Sequence, residues 1–404
     1  MSRLAGYLLL FLAAFIGVEA TSFVGLYGLA KLRSVNYQPG DYLSGKHKKI
    51  IKRMLDGQRR ANHYTGGYHR FDRILGWVIR ENAKFEIITK EGTITYTSNS
   101  QGLRASQNYS LRAAANLTRI AAFGDSFTHS DDVNDHETWE AQLERLNPSF
   151  QVLNFGVGGY GVDQAFLRYQ MQGKSFSPTT VLIGMMAENI QRHVNTFRPF
   201  YHKKTNIPLT KPRFAVKDGQ LVLLANPISS LDAYERLLSK NSSKELQRIG
   251  RYDYYFQNEY SSDWFDFLRS ARLVKIFMSL LKHRPRPIYK HGLYFAQSSA
   301  FAVTTHLLRA FYEKVKQDGT KPVILIFPAL EDLKTLNRGN RPSYEPLLQW
   351  LSTRGLVYFD IAEAFTGIRP ADLSQLVRGH YTAAGNKLVA RYLLKRLKLL
   401  GENA

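Results

Sequence analysis

The sequence predicts an α/β protein built on a parallel sheet of about five strands with helices on both faces, a three-layer α/β/α arrangement. Three observations carry this expectation. Short apolar runs recur at residues 120–123, 152–155, 181–183, 323–327 and 357–359, each too short for a helix and apolar enough for a strand buried on both faces. Helical patterns fall between them, at 137–146, 163–172, 303–316 and 344–352, and a last one at 383–399 follows the final run. Alternation of this kind is the signature of parallel strands joined by crossover helices. Finally, the strand exits carry glycines and polar residues, and in such sheets ligands bind beyond the carboxyl ends of the strands.

Composition limits the remaining options. The chain has 404 residues, 44% hydrophobic and 13% aromatic, enough for a substantial core. It has no cysteine, which excludes a disulfide framework, a thiolate zinc site and a cysteine nucleophile. The balance of 55 basic to 33 acidic residues gives a net charge of +22 and favours anionic partners. No helix-turn-helix, zinc-finger or RNA-binding signature accompanies that charge, so no nucleic acid is expected. An anionic membrane surface or an acidic polymer is the better expectation.

Before the sheet come three stretches of different character. Residues 4–30 are apolar apart from Glu19, Thr21 and Ser22, long enough to span a bilayer. The stretch reads as an uncleaved single-pass anchor (residues 1–33), because apolar character resumes at 23–30. The alternative is a signal peptide with a cleavage site at Val18-Glu19-Ala20. Only Arg3 precedes the stretch, whereas Lys31, Arg33 and the basic run from Lys46 follow it. The positive-inside tendency would therefore leave the rest of the chain cytoplasmic. Residues 34–70 form a basic juxtamembrane segment. Its helix candidate at 46–60 is either a solvated face or a surface for anionic lipid, at about 1 kcal/mol per basic residue. Residues 71–118 read as a small β annex, with a hairpin made of 85–89, the turn Lys90-Glu91-Gly92 and 93–97.

The domain proper, 119–402, is interrupted after its third strand by a long insertion at about 191–299. This carries Pro208, Pro212, Pro227, Pro285 and Pro287, and aromatic clusters at 252–256 and 264–267. The aromatics form either the insertion's own core or a lid over a site.

Four strand exits bear chemistry. Gly124-Asp125-Ser126 follows the first strand and presents a hydroxyl on a strand-to-helix turn, with Gly124 allowing the sharp bend. The segment 154–161 (NFGVGGYG) follows the second and offers glycine N–H groups without side chains in the way. Residues 184–189 (GMMAEN) follow the third and bring a side-chain amide. Residues 379–386 (GHYTAAGN) precede the last helix and supply an imidazole. A hydroxyl, a proton acceptor and several N–H donors are what acyl transfer requires.

In these four blocks the sequence resembles the SGNH (GDSL-type) esterases and acyltransferases, over 119–189 and 323–399. Residues 74–77 and 98–104 (SNSQGLR) also resemble the leader of bacterial envelope-associated members. The resemblance implies a flavodoxin-like fold, Ser126 as nucleophile and His380 as general base. It implies an oxyanion hole of the Ser126 and Gly159 N–H groups with the Asn189 amide. It also implies an extracytoplasmic domain acting on an acyl ester, on an envelope polysaccharide or lipid, with no cofactor and no metal. Hydrolysis is expected first. O-acyltransfer to a polysaccharide, or a non-catalytic scaffold that keeps the fold, are the alternatives.

One position departs from the family. The aspartate usual three residues before the histidine is Val377 here. Either His380 works in a Ser–His dyad, oriented by a backbone carbonyl, or a carboxylate from elsewhere reaches it, with Asp372 and Asp360 the near candidates in sequence. His129 and His136 are expected at the surface or behind the nucleophile. Asp125, Asp131, Asp132 and Asp135 match no calcium loop and are expected to cap turns, with Asp125 bracing the nucleophile. Arg192, His193, Asn195, Arg198 and Tyr201 either line the pocket mouth or begin the insertion.

Overall fold

Each of the five apolar runs is a strand of one parallel sheet. β1 (Thr118–Phe123), β2 (Phe150–Asn154), β3 (Thr180–Met186), β4 (Lys321–Phe327) and β5 (Tyr358–Asp360) stand in the spatial order β5-β4-β3-β1-β2. Every pairing in this sheet is parallel. Read from the other edge this is 2-1-3-4-5, the flavodoxin-like order, which places the switch point beside β1. The computed structural model describes residues 3–33, 43–59, 67–89, 92–240, 242–259, 265, 267–281 and 287–402.

Alternation along the strands makes the layers. Ile120 and Ala122 of β1, Val152 of β2 and Leu182 of β3 face one side. There they meet Trp139 and Leu143 of the helix Trp139–Leu146 and Val389 and Leu393 of the helix Ala383–Glu402. Ala121, Phe123, Leu153 and Ile183 face the other side, against Tyr169 of the helix Val162–Gln172 and Phe311 of the helix Ser299–Gln317. Phe123 stacks on Phe155 with centroids 4.3 Å apart and an interplanar angle of 15°. Both faces of the sheet are thus dry, which explains why its strands read as continuous apolar runs rather than alternating ones.

The region before β1 forms two antiparallel hairpins. Lys84–Thr89 pairs with Gly92–Thr97 as expected, though Lys90 and Glu91 of its turn lie outside the described residues. A second, unexpected hairpin pairs His69–Asp72 with Gly76–Ile79. It buries Trp77, whose indole N–H donates to the Gly158 carbonyl at 3.0 Å. Gly76 has φ +87°, and a Cβ there would lie 2.2 Å from the Thr210 carbonyl oxygen. The hairpin therefore fits between the sheet and the insertion only with glycine at this turn.

The N-terminal stretch is one helix, α1 (Arg3–Arg33). The basic helix follows as α2 (Gly45–Arg59). α2 buries His47, Ile51 and Leu55, one stripe at four-residue spacing. His47 Nε2 lies 3.2 Å from the Thr205 carbonyl oxygen, so the helix is fastened to the insertion.

Within the insertion, Arg213–Lys217 pairs with Gln220–Leu224, and a helix, α3 (Arg269–Leu281), packs beside α1. Phe197, Phe200 and Phe256 form a chain of ring contacts with centroids 5.0 Å apart. They are continuous with the main apolar cluster, so the insertion shares the domain's core. Trp264, Asp266 and Pro285 lie outside the described residues.

Gly76→Ala is predicted to lower unfolding free energy by about 2 kcal/mol or more, from strain and overpacking together. Gly92→Ala, with φ +137° but open space around its Cβ, should lower it less. Urea unfolding of the two variants checks the difference.

Candidate active site

β1 ends at Phe123, and the chain turns at Gly124 into a single helical turn, Ser126–His129. Sterics force glycine at the bend: a Cβ on Gly124 would lie 2.1 Å from Thr128 Oγ1 and 2.8 Å from the Gly184 carbonyl oxygen. Asp125 is fully buried and caps the turn. Its Oδ1 accepts from the Phe127 N–H at 2.8 Å, and its Oδ2 from the Met186 N–H at 2.9 Å and from Asn189 Nδ2 at 2.6 Å. The bracing role expected of Asp125 is this set of bonds, which joins the exits of β1 and β3.

Ser126 Oγ lies 2.8 Å from His380 Nε2, although the two residues are 254 positions apart. His380 Nδ1 lies 2.6 Å from Asp132 Oδ2. With the proton on Nδ1, His380 donates to Asp132 and Nε2 is free to accept from the Ser126 hydroxyl. Burial opposes a charged imidazole, but the Asp132 hydrogen bond and the nearby Asp131 and Asp125 charges prevail and raise the His380 pKa above its ordinary value.

The two acids expected to orient His380 are engaged elsewhere. Asp372 is paired at the surface with Arg369 Nε at 2.7 Å. Asp360 accepts from the Ala362 N–H and the Tyr344 hydroxyl, each at 3.0 Å, and burial pushes its carboxyl up to about 6. Neither reaches His380. Nor is the imidazole left to a backbone carbonyl, as a dyad would require. Val377 is wholly buried in the core beside Phe365 and Tyr381. Asp132 takes the place of the missing acid because the loop after the nucleophile doubles back. Ser130 and Asp132 both adopt the left-handed conformation, with φ +59° and +68°, which aspartate tolerates better than most residues.

That loop is held by Arg104, a residue of the 98–104 block. Its Nη1 donates to the carbonyls of His129 (2.6 Å) and Ser130 (2.5 Å), its Nη2 to that of Val133 (2.5 Å), and its Nε to Asp135 (3.0 Å). The guanidinium also lies over the Tyr96 ring, 4.3 Å from its centroid. The Tyr96 hydroxyl in turn accepts from the Asp132 N–H at 2.6 Å. The annex thereby fixes the acid. Sequence reading singled out the block but not this use of it.

The other acids and histidines also have specific partners. His129 is buried with Nδ1 2.5 Å from Asp131 Oδ1 and Nε2 3.0 Å from the Tyr68 hydroxyl. Burial lowers the His129 pKa. Burial would raise the Asp131 pKa, but the His129 contact and the His380 and Arg104 charges hold it well below the usual range. His136 is exposed. Among the described residues no group of three or more His, Asp or Glu side chains could hold a metal ion.

The cleft in front of Ser126 has a volume of about 1030 Å³ and is lined by Asp131, Asp132, Gly158, Gly159, Arg198 and His380 among others. Gly159 has φ +83°, and its carbonyl accepts from Arg198 Nη1 at 2.9 Å. Among the described residues, the Ser126 and Gly159 N–H groups have no hydrogen-bond acceptor. Asn189, expected to join them, does not line the cleft. It is wholly buried and its Nδ2 is engaged by Asp125. Of the residues after it, Arg192 and Arg198 line the cleft. His193 and Asn195 are buried behind it, on Thr304 Oγ1 (2.8 Å) and Asp253 Oδ2 (2.8 Å) respectively, and Tyr201 packs on Tyr255.

No family model and no curated protein matches the chain. Solved structures with partial likeness include a candidate lipolytic protein of the G-D-S-L family from Desulfitobacterium hafniense, at 13% identity and TM-score 0.35, covering 69% of this chain and 98% of that one. A candidate acylhydrolase from Bacteroides fragilis is 12% identical with TM-score 0.32, over 72% and 90% of the two chains. A candidate lipase from Chitinophaga pinensis is 13% identical with TM-score 0.25, over 70% and 98%. At these scores the likenesses add no argument about chemistry, which rests on the geometry above.

The geometry predicts a His380 imidazole that titrates above the ordinary histidine value of about 6.5. Asp132→Asn removes the carboxylate that raises it, so the pKa should fall. Asp372→Asn should leave it in place. Histidine NMR titration of the three proteins provides the check.

Proposed function

We propose that the chain is a serine-dependent ester hydrolase of the SGNH type, working through a Ser126–His380–Asp132 relay. The observation that carries the reading is the unbroken hydrogen-bond path from Ser126 Oγ through the imidazole to Asp132. Ser126 Oγ attacks the ester carbonyl carbon while His380 Nε2 takes its proton. Asp132 holds the imidazole in the productive tautomer and steadies the imidazolium. The tetrahedral oxyanion is received by the Ser126 and Gly159 N–H groups, each such donor being worth about 3–4 kcal/mol of barrier. On collapse, His380 returns its proton to the leaving alkoxide and an acyl-serine remains. Water then attacks the acyl carbon, its proton goes to His380, and the acid product leaves with Ser126 restored. Asn189 serves this chemistry indirectly, by holding Asp125.

The proposed setting is a membrane surface with the catalytic domain outside the cytoplasm, and the substrate an acylated envelope polysaccharide. α1 is long and apolar enough to cross a bilayer. Glu19 within it accepts from the Arg269 N–H at 2.7 Å and the Ser270 N–H at 3.2 Å, and it also engages the Ser270 hydroxyl. Gly25 lies against Leu273. An acid in an apolar span is costly unless partnered, and these contacts to α3 support the reading of a retained anchor over that of a cleaved signal.

Ser126→Ala should abolish turnover of p-nitrophenyl acetate without altering the far-ultraviolet circular dichroism. Asp132→Asn should lower kcat/KM on the order of 10³–10⁴-fold, and Asp372→Asn should not lower it. The base must be neutral, so wild-type kcat/KM should decline as pH falls through the raised His380 pKa. Equal turnover by Asp132→Asn and wild type would remove the acid from the mechanism. A C-terminal alkaline phosphatase fusion should be active if the domain is extracytoplasmic.

A further inference from the structure

The charges around the catalytic cleft are distributed unevenly. Its carboxylates already have partners: Asp132 faces His380, Asp131 faces His129, and Glu188 lies 3.7 Å from Arg192. Its cations do not. Lys46, Lys49 and Arg53 enter the cleft wall from α2, and Lys204 from the insertion. None of the four has an ion-pair partner among the described residues.

Helix geometry explains this placement. The stripe His47, Ile51 and Leu55 is buried against protein, so the stripe at 46, 49, 50, 53 and 54 turns toward the cleft. Lys48 and Lys52 are exposed on the same helix but do not line the cleft. A solvated helix needs no such division. Residues 46 to 53 extend about 10 Å along the axis at a rise of about 1.5 Å per residue. A row of cations of that length suits successive anionic groups along a polymer better than a single headgroup. The row also borders the cleft that contains Ser126, Gly159 and His380, where an ester on that polymer would be cut.

We infer that the cationic wall formed by Lys46, Lys49 and Arg53 of α2, with Lys204, binds an acidic polysaccharide and presents its O-acyl groups to Ser126. The inference rests on the esterase reading for the reaction, but the recognition of the polyanion can be measured without it. α2 is then a specificity element of the enzyme, fastened by its His47 stripe and reading charge with its neighbouring face.

The test uses the full chain in neutral detergent, with Lys49→Ala/Arg53→Ala and Lys48→Ala/Lys52→Ala double variants. The substrates are acetylated polygalacturonate, acetylated xylan as the uncharged polymer, and p-nitrophenyl acetate. The wild type should prefer the acidic polymer to the neutral one and lose that preference as salt is raised. Lys49→Ala/Arg53→Ala should lose about tenfold more on acetylated polygalacturonate than on p-nitrophenyl acetate. Lys48→Ala/Lys52→Ala removes the same charge from the same helix and should match the wild type on every substrate. Equal turnover of the two polymers, or equal losses in the two double variants, would overturn the inference. So would binding of phosphatidylglycerol vesicles, and not of the polyuronate, through Lys49 and Arg53. Should p-nitrophenyl acetate not be turned over at all, the esterase reading fails. Calorimetry with unacetylated polygalacturonate on the same three proteins still decides the charge recognition.

Discussion

A buried carboxylate holds this site in shape. Asp125 takes no solvent contact, yet three donors converge on it: the N–H groups of Phe127 and Met186 and the Asn189 amide. A buried carboxylate is costly unless its lone pairs are filled, and these bonds fill them from two different strand exits. The nucleophile turn is therefore joined to the end of β3 as well as to β1. Removing either Asp125 or its partners would leave a buried polar group unsatisfied next to Ser126.

From that anchor the relay extends in two directions. His380 comes from the far end of the chain, just ahead of the last helix, whose Val389 and Leu393 press on the sheet. Asp132 comes from the near end, six residues past the nucleophile, on a loop clamped by Arg104 and Tyr96. The small β annex thus holds the loop that carries Asp132, while the sheet holds the turn that carries Ser126. The insertion contributes Arg198, which binds the Gly159 carbonyl, and it seats α2 at the rim of the cleft.

The sheet was legible because its physics is local. All five strands lie where apolar runs predict them, with ends shifted by at most three residues, and the crossover helices follow 3.6-residue patterns between them. Ser126 and His380 were legible for a related reason, since both sit at strand or helix boundaries marked by glycine. The acid was not. Nearness to His380 in sequence favoured Asp372 and Asp360, but one is occupied by Arg369 and the other caps a turn. Asp132 depends on two left-handed residues and on an arginine 28 positions earlier, a long-range arrangement with no periodic signature. Asn189 lies at the level its motif gives, and its Nδ2 donates to Asp125, a pairing that the motif does not announce. The hairpin Arg213–Lys217 with Gln220–Leu224 did leave a trace, the Asp218-Gly219 turn at φ +49° and +74°, which fits a tight hairpin turn. α2 announced its charge but not its partner, because amphipathicity alone cannot separate a lipid surface from a protein groove.

The claim on which all of this converges is that Ser126 is activated by His380. Fluorophosphonate labelling followed by peptide mass mapping tests it most directly, because only an activated serine displaces the fluoride. The account predicts a single adduct on the peptide containing Ser126 in the wild type, and its loss in His380→Ala. An adduct on another serine, or labelling of Ser126 that persists undiminished without the imidazole, would contradict it.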